Sequence, residues 1–192
     1  MEPCMPFRTV AEAWAALEGQ KGMSDGEAVD LWRHQAQTAA VLLAQGADDE
    51  MVVAGLLHDL GDGRVSEAAH AAWGAALVRP LLGERVAWLV ETHAEAKRYL
   101  CTTRPEYWAS LSPVSQRTMR QQGGLMREVE VARFAAHRWV QDAVRLRLAD
   151  DAGKDPGLPD PDTAPMRAAL ERVAARAGRG GALPPGAAPP RG

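Results

Sequence analysis

Cysteine is scarce in this chain: Cys4 and Cys101 are the only two among 192 residues. Two thiols cannot build a disulfide framework, and such usage fits a reducing compartment. Long apolar runs are missing too. No stretch approaches the ~18 residues a membrane-spanning helix needs. The opening MEPCMPFRTV carries an early glutamate and no apolar core of a leader, so the cytoplasm is the expected location. Basic residues are not in excess: 22 Lys and Arg stand against 25 Asp and Glu, a net charge of −3, which leaves no field for nucleic acid. β-Branched runs are also rare. What fills the chain is Ala, Leu, Glu, Arg and Gln, the residues of helices.

The expected fold class is therefore all-α, a single helical bundle, and the length fits one domain with a sizeable core. Apolar residues at 46% and charged residues at 24% agree with a water-soluble globular chain. Helical spacing predicts elements over 9–18, 27–45, 49–60, 66–79, 84–100, 113–122, 127–138 and 139–150. Ser112-Pro113 is a start signal, a capping hydroxyl followed by proline at the first helical position. After Lys154 the composition changes. Residues 1–154 are read as the core with its N-terminal helix, and 155–178 as a proline-rich linker and one last helix. Residues 179–192 are read as a disordered tail. The tryptophans at 14, 32, 73, 88, 108 and 139 are expected to pack in the core and at its rim rather than to form a cage for a quaternary ammonium.

Chemistry concentrates around His58-Asp59, which directly follows the apolar run Met51–Leu57. Burying an imidazole and a carboxylate there is costly unless something compensates both, and a metal ion does. His34 and Gln37 lie one turn apart on the predicted helix 27–45, and Arg147 and Asp150 are spaced three apart on another. Each pair therefore presents polar groups on one side, Asp150 as a possible metal carboxylate and Arg147 as a cation for substrate.

His34, His58-Asp59 and Asp150 in this order resemble the H…HD…D pattern of the HD superfamily, many of whose members are phosphohydrolases. The resemblance to its bimetallic branch implies that one metal takes His34, His58, Asp59 and Asp150. A second takes Asp59, His70 and His93, with Asp59 bridging. His137 matches nothing in the pattern and is read as a surface residue.

Further segments narrow the resemblance: HAEAKRYLC (93–101), PEY (105–107), LSPVSQRT (111–118), QGGLM (122–126) and LRLADDAGK (146–154). Together they are similar to the PhnZ-like HD-domain oxygenases of phosphonate catabolism, over roughly residues 24–154. Lys97 falls one turn after His93. Ser115 and Thr118 sit in the first turns after the cap Ser112, where free amides favour an anion. With Arg147 they match the family's phosphonate-binding positions, and Gln37 joins the expected substrate contacts. The resemblance implies a mixed-valent Fe(II)/Fe(III) pair, with Asp59, His70 and His93 at the oxygen site. It further implies O2 as co-substrate and C–P cleavage of a small 1-hydroxyphosphonate to phosphate and a carboxylic acid. The candidates are 2-amino- or 2-trimethylammonio-1-hydroxyethylphosphonate and hydroxymethylphosphonate. A 2-oxoglutarate-dependent hydroxylase is the expected source of the 1-hydroxyl. Glu27 stands where a cationic C2 substituent would be met. Ser24 replaces a family tyrosine that gates the iron, and Asp62 replaces a histidine near the substrate.

Two other readings share the ligand set. An HD phosphohydrolase of a nucleotide or phosphate ester would use a metal-bound hydroxide and would not need the cluster Lys97, Ser115, Thr118 and Arg147. A non-catalytic HD sensing domain would tolerate loss of ligands that are all present here.

Overall fold

A computed structural model describes residues 5–180, which form ten helices and no strand. They are α1 (Val10–Glu18), α2 (Leu31–Ala44), α3 (Asp49–Leu57), α4 (His70–Leu82), α5 (Glu84–Thr103), α6 (Pro105–Ser110), α7 (Pro113–Gln121), α8 (Glu128–Ala135), α9 (Val140–Ala152) and α10 (Ala164–Gly180). None of them is long and apolar enough to cross a membrane. The expected tail lies outside the described residues, except for 179–180, which end α10.

Several starts are set by side chains that take up the free amides of the first turn. Thr9 caps α1 in a reciprocal box with Glu12, Asp48 caps α3, and Ser112 caps α7 ahead of Pro113. Helix α2 begins four residues later than its apolar spacing suggested. Asp30 is the cap, accepting from the Arg33 amide, while Ser24 and Asp25 bend the preceding segment through hydrogen bonds to the Gly26 and Glu27 amides. Likewise 66–69 is a turn, and α4 runs from His70 through Pro80 to Leu82. The short helix α6 was not anticipated.

Helix α3 is apolar on every side, and Met51 to Leu57 are all buried, so it occupies the centre. Around it pack α2, α5, α9 and α10, with α4 against α5. Fully buried leucines such as Leu42, Leu56, Leu57, Leu89 and Leu146 each contribute about 1.5–3 kcal/mol over exposure. The last helix belongs to this core: Met166, Ala169, Leu170 and Val173 line its inner stripe. Arg172 and Arg176 pair with Asp49 at the start of α3. The proline-bearing stretch before α10 is tied down by Arg33, which meets the Asp160 carboxylate at 3.0 Å and the Leu158 carbonyl. Of the tryptophans, Trp14 is buried and the others are half-buried. His137 is half-buried as well, stacked on Trp88 at 3.8 Å between ring centres.

Candidate metal centre

Five elements deliver six polar side chains to one buried point. His34 comes from α2, His58 and Asp59 from the end of α3, His70 from the first residue of α4, His93 from α5 and Asp150 from α9. All are at most 9% exposed. Two glycines allow the approach. A Cβ on Gly61 would lie 2.2 Å from the His70 carbonyl oxygen, and one on Gly153 would lie 2.8 Å from the Thr38 amide nitrogen. Only hydrogen fits in either place.

Every imidazole is oriented the same way. Nδ1 of His34, His58, His70 and His93 lies 3.0, 2.8, 2.6 and 2.7 Å from the carbonyls of Gly153, Gly55, Glu67 and Val90. A carbonyl only accepts, so each Nδ1 carries the proton and each neutral ring turns an Nε2 lone pair inward. That is the usual support for a metal-bound histidine. His70 Nε2 and His93 Nε2 then face each other at 3.0 Å, two lone pairs that repel without a cation between them.

Asp59 divides its oxygens between two pairs of rings. Oδ2 lies 3.4 Å from His34 Nε2 and 3.2 Å from His58 Nε2, whereas Oδ1 lies 3.6 Å from His70 Nε2 and 3.2 Å from His93 Nε2. Asp150 closes the first group, its Oδ1 at 3.3 Å from His34 Nε2 and its Oδ2 at 3.7 Å from His58 Nε2. Ligands bound at ~2.0–2.2 Å to a common ion sit roughly 3–3.5 Å apart, the spacing seen here. His58 Nε2 and Asp150 Oδ1 are buried and make no hydrogen bond. The donor set fits two metal ions bridged by Asp59.

Charge in the site points the same way. Burial alone would lower His34, but Asp150 and Asp59 beside it raise its pKa to about 10; a field that holds a proton so firmly suits a metal cation. Burial also opposes ionisation of Asp59, yet His58 and its neighbours hold it well below the usual carboxylate range. His93 is lowered to about 4 by burial and so stays neutral and free to ligate.

A polar cleft opens onto the second pair of rings, lined by Lys97, Ser115, Thr118, Glu27 and Arg147 among others. The structure thus brings all but one of the expected substrate residues together. Gln37 is the exception: its amide is engaged with both backbone groups of Asp155 and does not line the cleft. Lys97 is only 4% exposed and donates to the Thr118 hydroxyl at 2.9 Å, and no carboxylate among the described residues forms an ion pair with it. Burial, then Arg147, lower its pKa to about 8. Arg147 is itself taken up by other groups. It meets Asp150 Oδ2 at 2.5 Å, Asp151 and the Tyr107 hydroxyl, so it aims a metal carboxylate as well as facing the cleft. Glu27 accepts from Ser112 at 2.6 Å and from Lys154 at 3.3 Å. Asp62 also lines the cleft, where burial, Asp59 and Glu67 push its pKa up to about 6. Lys154 and Glu67 also line the cleft and were not singled out from the sequence; Gln122, which the sequence suggested only as part of a helix-ending turn, caps the end of α7 and lines it too. Lys154 stands four residues after Asp150, the one signal that could have placed it.

The HD-domain family model matches residues 31–136, which hold five of the six ligating candidates. The chain belongs to the HD-domain family. Within it the chain is 35% identical over 147 residues to a hydroxymethylphosphonate dioxygenase of Gimesia maris, covering 71% of this chain and 73% of that protein. It is 33% identical to the glycine-betaine-forming [1-hydroxy-2-(trimethylamino)ethyl]phosphonate dioxygenase of Leisingera caerulea, covering 71% and 75%. An uncharacterised protein of Acanthamoeba polyphaga mimivirus matches at 28% identity over 156 residues.

Proposed function

We propose that this protein is a di-iron, O2-dependent oxygenase that cleaves the C–P bond of a small 1-hydroxyphosphonate. The overall reaction balances: R–CH(OH)–PO3H2 and O2 give R–COOH and H3PO4. The observation that carries the reading is Lys97, a buried ammonium with no carboxylate partner among the described residues, facing the same cleft as a bridged pair of ligand groups. An unpaired buried cation is costly, and a phosphonate would compensate it.

A mixed-valent iron pair, when bound, supplies the redox chemistry and the attachment point for the substrate oxygens. The protein's own contribution is positioning. Asp59 fixes the spacing of the two metal positions, and Arg147 sets the angle of Asp150. Lys97, Ser115 and Thr118 would offer an ammonium and two hydroxyls to the phosphonate, in the cleft that His70 and His93 also line. Hydroxylation at C1 must precede this step, and a 2-oxoglutarate-dependent hydroxylase is the expected supplier. Cytoplasmic conditions suit both the iron and the buried thiol of Cys101.

The test is incubation of iron-loaded protein with a panel of 1-hydroxyphosphonates, with and without O2, measuring phosphate. Release should require O2 and should slow with deuterium at C1. Equal release without O2 would replace the oxygenase by a phosphohydrolase using the same ligands.

A further inference from the structure

Two glutamines are completely buried, Gln20 in the turn after α1 and Gln35 on α2 next to His34. Neither lines the cleft, and an amide buried so deeply is costly unless its groups find partners. They find them on the backbone of Asp59. The Gly55 carbonyl, four residues back, is the ordinary helical acceptor for the Asp59 N–H, but His58 Nδ1 engages it at 2.8 Å. The Asp59 N–H donates to Gln35 Oε1 at 3.3 Å. Gln35 Nε2 donates to Gln20 Oε1 at 2.8 Å and to the Leu31 carbonyl at 3.1 Å. Gln20 Nε2 returns to the Asp59 carbonyl at 2.9 Å, which also accepts from the Asp62 N–H at 3.0 Å.

This ring closes in one direction only. A backbone N–H only donates and a backbone carbonyl only accepts, so both amides are fixed as described, and turning either over would set like groups together. Hydrogen bonds joined head to tail in a buried setting strengthen one another. We infer that Gln20 and Gln35 are positioning residues, which hold the Asp59 backbone at its N–H and its carbonyl and so fix the bridging carboxylate between the two metal positions. The inference rests on the bridged-pair reading of the centre. Asp59 lies beyond the end of α3, yet its two oxygens keep within 3.2–3.6 Å of four rings. The second position depends on the bridge most. Besides Asp59, the first has His34, His58 and Asp150, whereas among the described residues the second has His70 and His93 alone.

The test replaces each glutamine by methionine, an unbranched side chain that fills the space but has no amide. Gln20→Met is the milder change, because the Asp59 carbonyl keeps the Asp62 N–H, and it carries the test if Gln35→Met does not fold. Iron-loaded, full-length proteins are titrated with a chelator. Elemental analysis counts ions per chain, circular dichroism follows helix content, and electron paramagnetic resonance reads the magnetic coupling of the pair. In both variants the second ion should leave at a chelator concentration lower by about tenfold or more, the usual effect of losing a partner that orients a metal ligand. The first ion and the helix content should stay. In molecules that still hold two ions the coupling signal should shift, since the bridge is no longer held at one angle. Loss of both ions in step with loss of helix would overturn the inference, because the ring would then only hold the core together. Two ions held at wild-type strength with an unshifted signal would overturn it equally. A wild-type protein that never holds more than one ion would remove the bridged pair and the inference with it, and that result is told apart from the others because it needs no substitution.

Discussion

At the scale of single residues, Asp59 and His70 should behave differently although both face the same point. Asp59 Oδ2 serves His34 and His58, and Oδ1 serves His70 and His93. Asp59→Ala should therefore lower metal content at both positions, while His70→Ala should leave about one ion per chain, as counted by elemental analysis. Arg147 makes a sharper case. Its removal leaves Asp150 buried without its main cation, which should cost about 3–5 kcal/mol in denaturant unfolding. Arg147→Lys should not restore activity, because a point charge cannot span Asp150, Asp151 and Tyr107 together. Lys97→Ala should instead spare stability and raise KM for every phosphonate. His58 and Asp59 stood out in the sequence because an imidazole-carboxylate pair at the end of an apolar helix has few other uses, whereas His70 and His93 were expected only from the family resemblance. Lys154 and Glu67 were not legible, because their partners lie 127 and 55 residues away in the chain.

At the scale of elements, the close seam between Gly61 and α4 sets the second pair of rings. Gly61→Ala puts a methyl 2.2 Å from the His70 carbonyl oxygen, so α4 must shift. Thermal stability should fall and the second metal should be lost before the first, visible as a drop from two ions towards one. Helix α10 offers a pH test. Arg172 and Arg176 hold Asp49 below its ordinary carboxylate value of 3.8. A depressed folded pKa means the contribution is complete above 3.8 and lost as pH falls through the lower, folded value. The pair is partly exposed, so Asp49→Asn should lower stability at pH 7 by at most about 1 kcal/mol and flatten the acid limb of a Tm–pH curve. Periodicity located most helices but misjudged where α2 and α4 begin. Ahead of α2 the side chains of Ser24, Asp25 and Asp30 accept hydrogen bonds from backbone amides and compete with helix, and apolar spacing does not record them.

At the scale of the whole molecule, metal binds the native state and not the unfolded chain, so a chelator should lower Tm and iron should restore it. His58, His93 and Asp150 are held in place by the core whether or not they ligate, which should leave the chelated protein folded. The ligands run from residue 34 to residue 150, and α9 supplies both the last carboxylate and, through Gly153, the carbonyl that orients His34. During synthesis the ribosome adds about 5–20 residues per second, so the 116 residues between first and last ligand take roughly 6–23 s. Throughout that interval His34 lacks its orienting carbonyl and Asp150 does not exist. The complete set of ligating side chains therefore exists only in the finished chain and not in the nascent one.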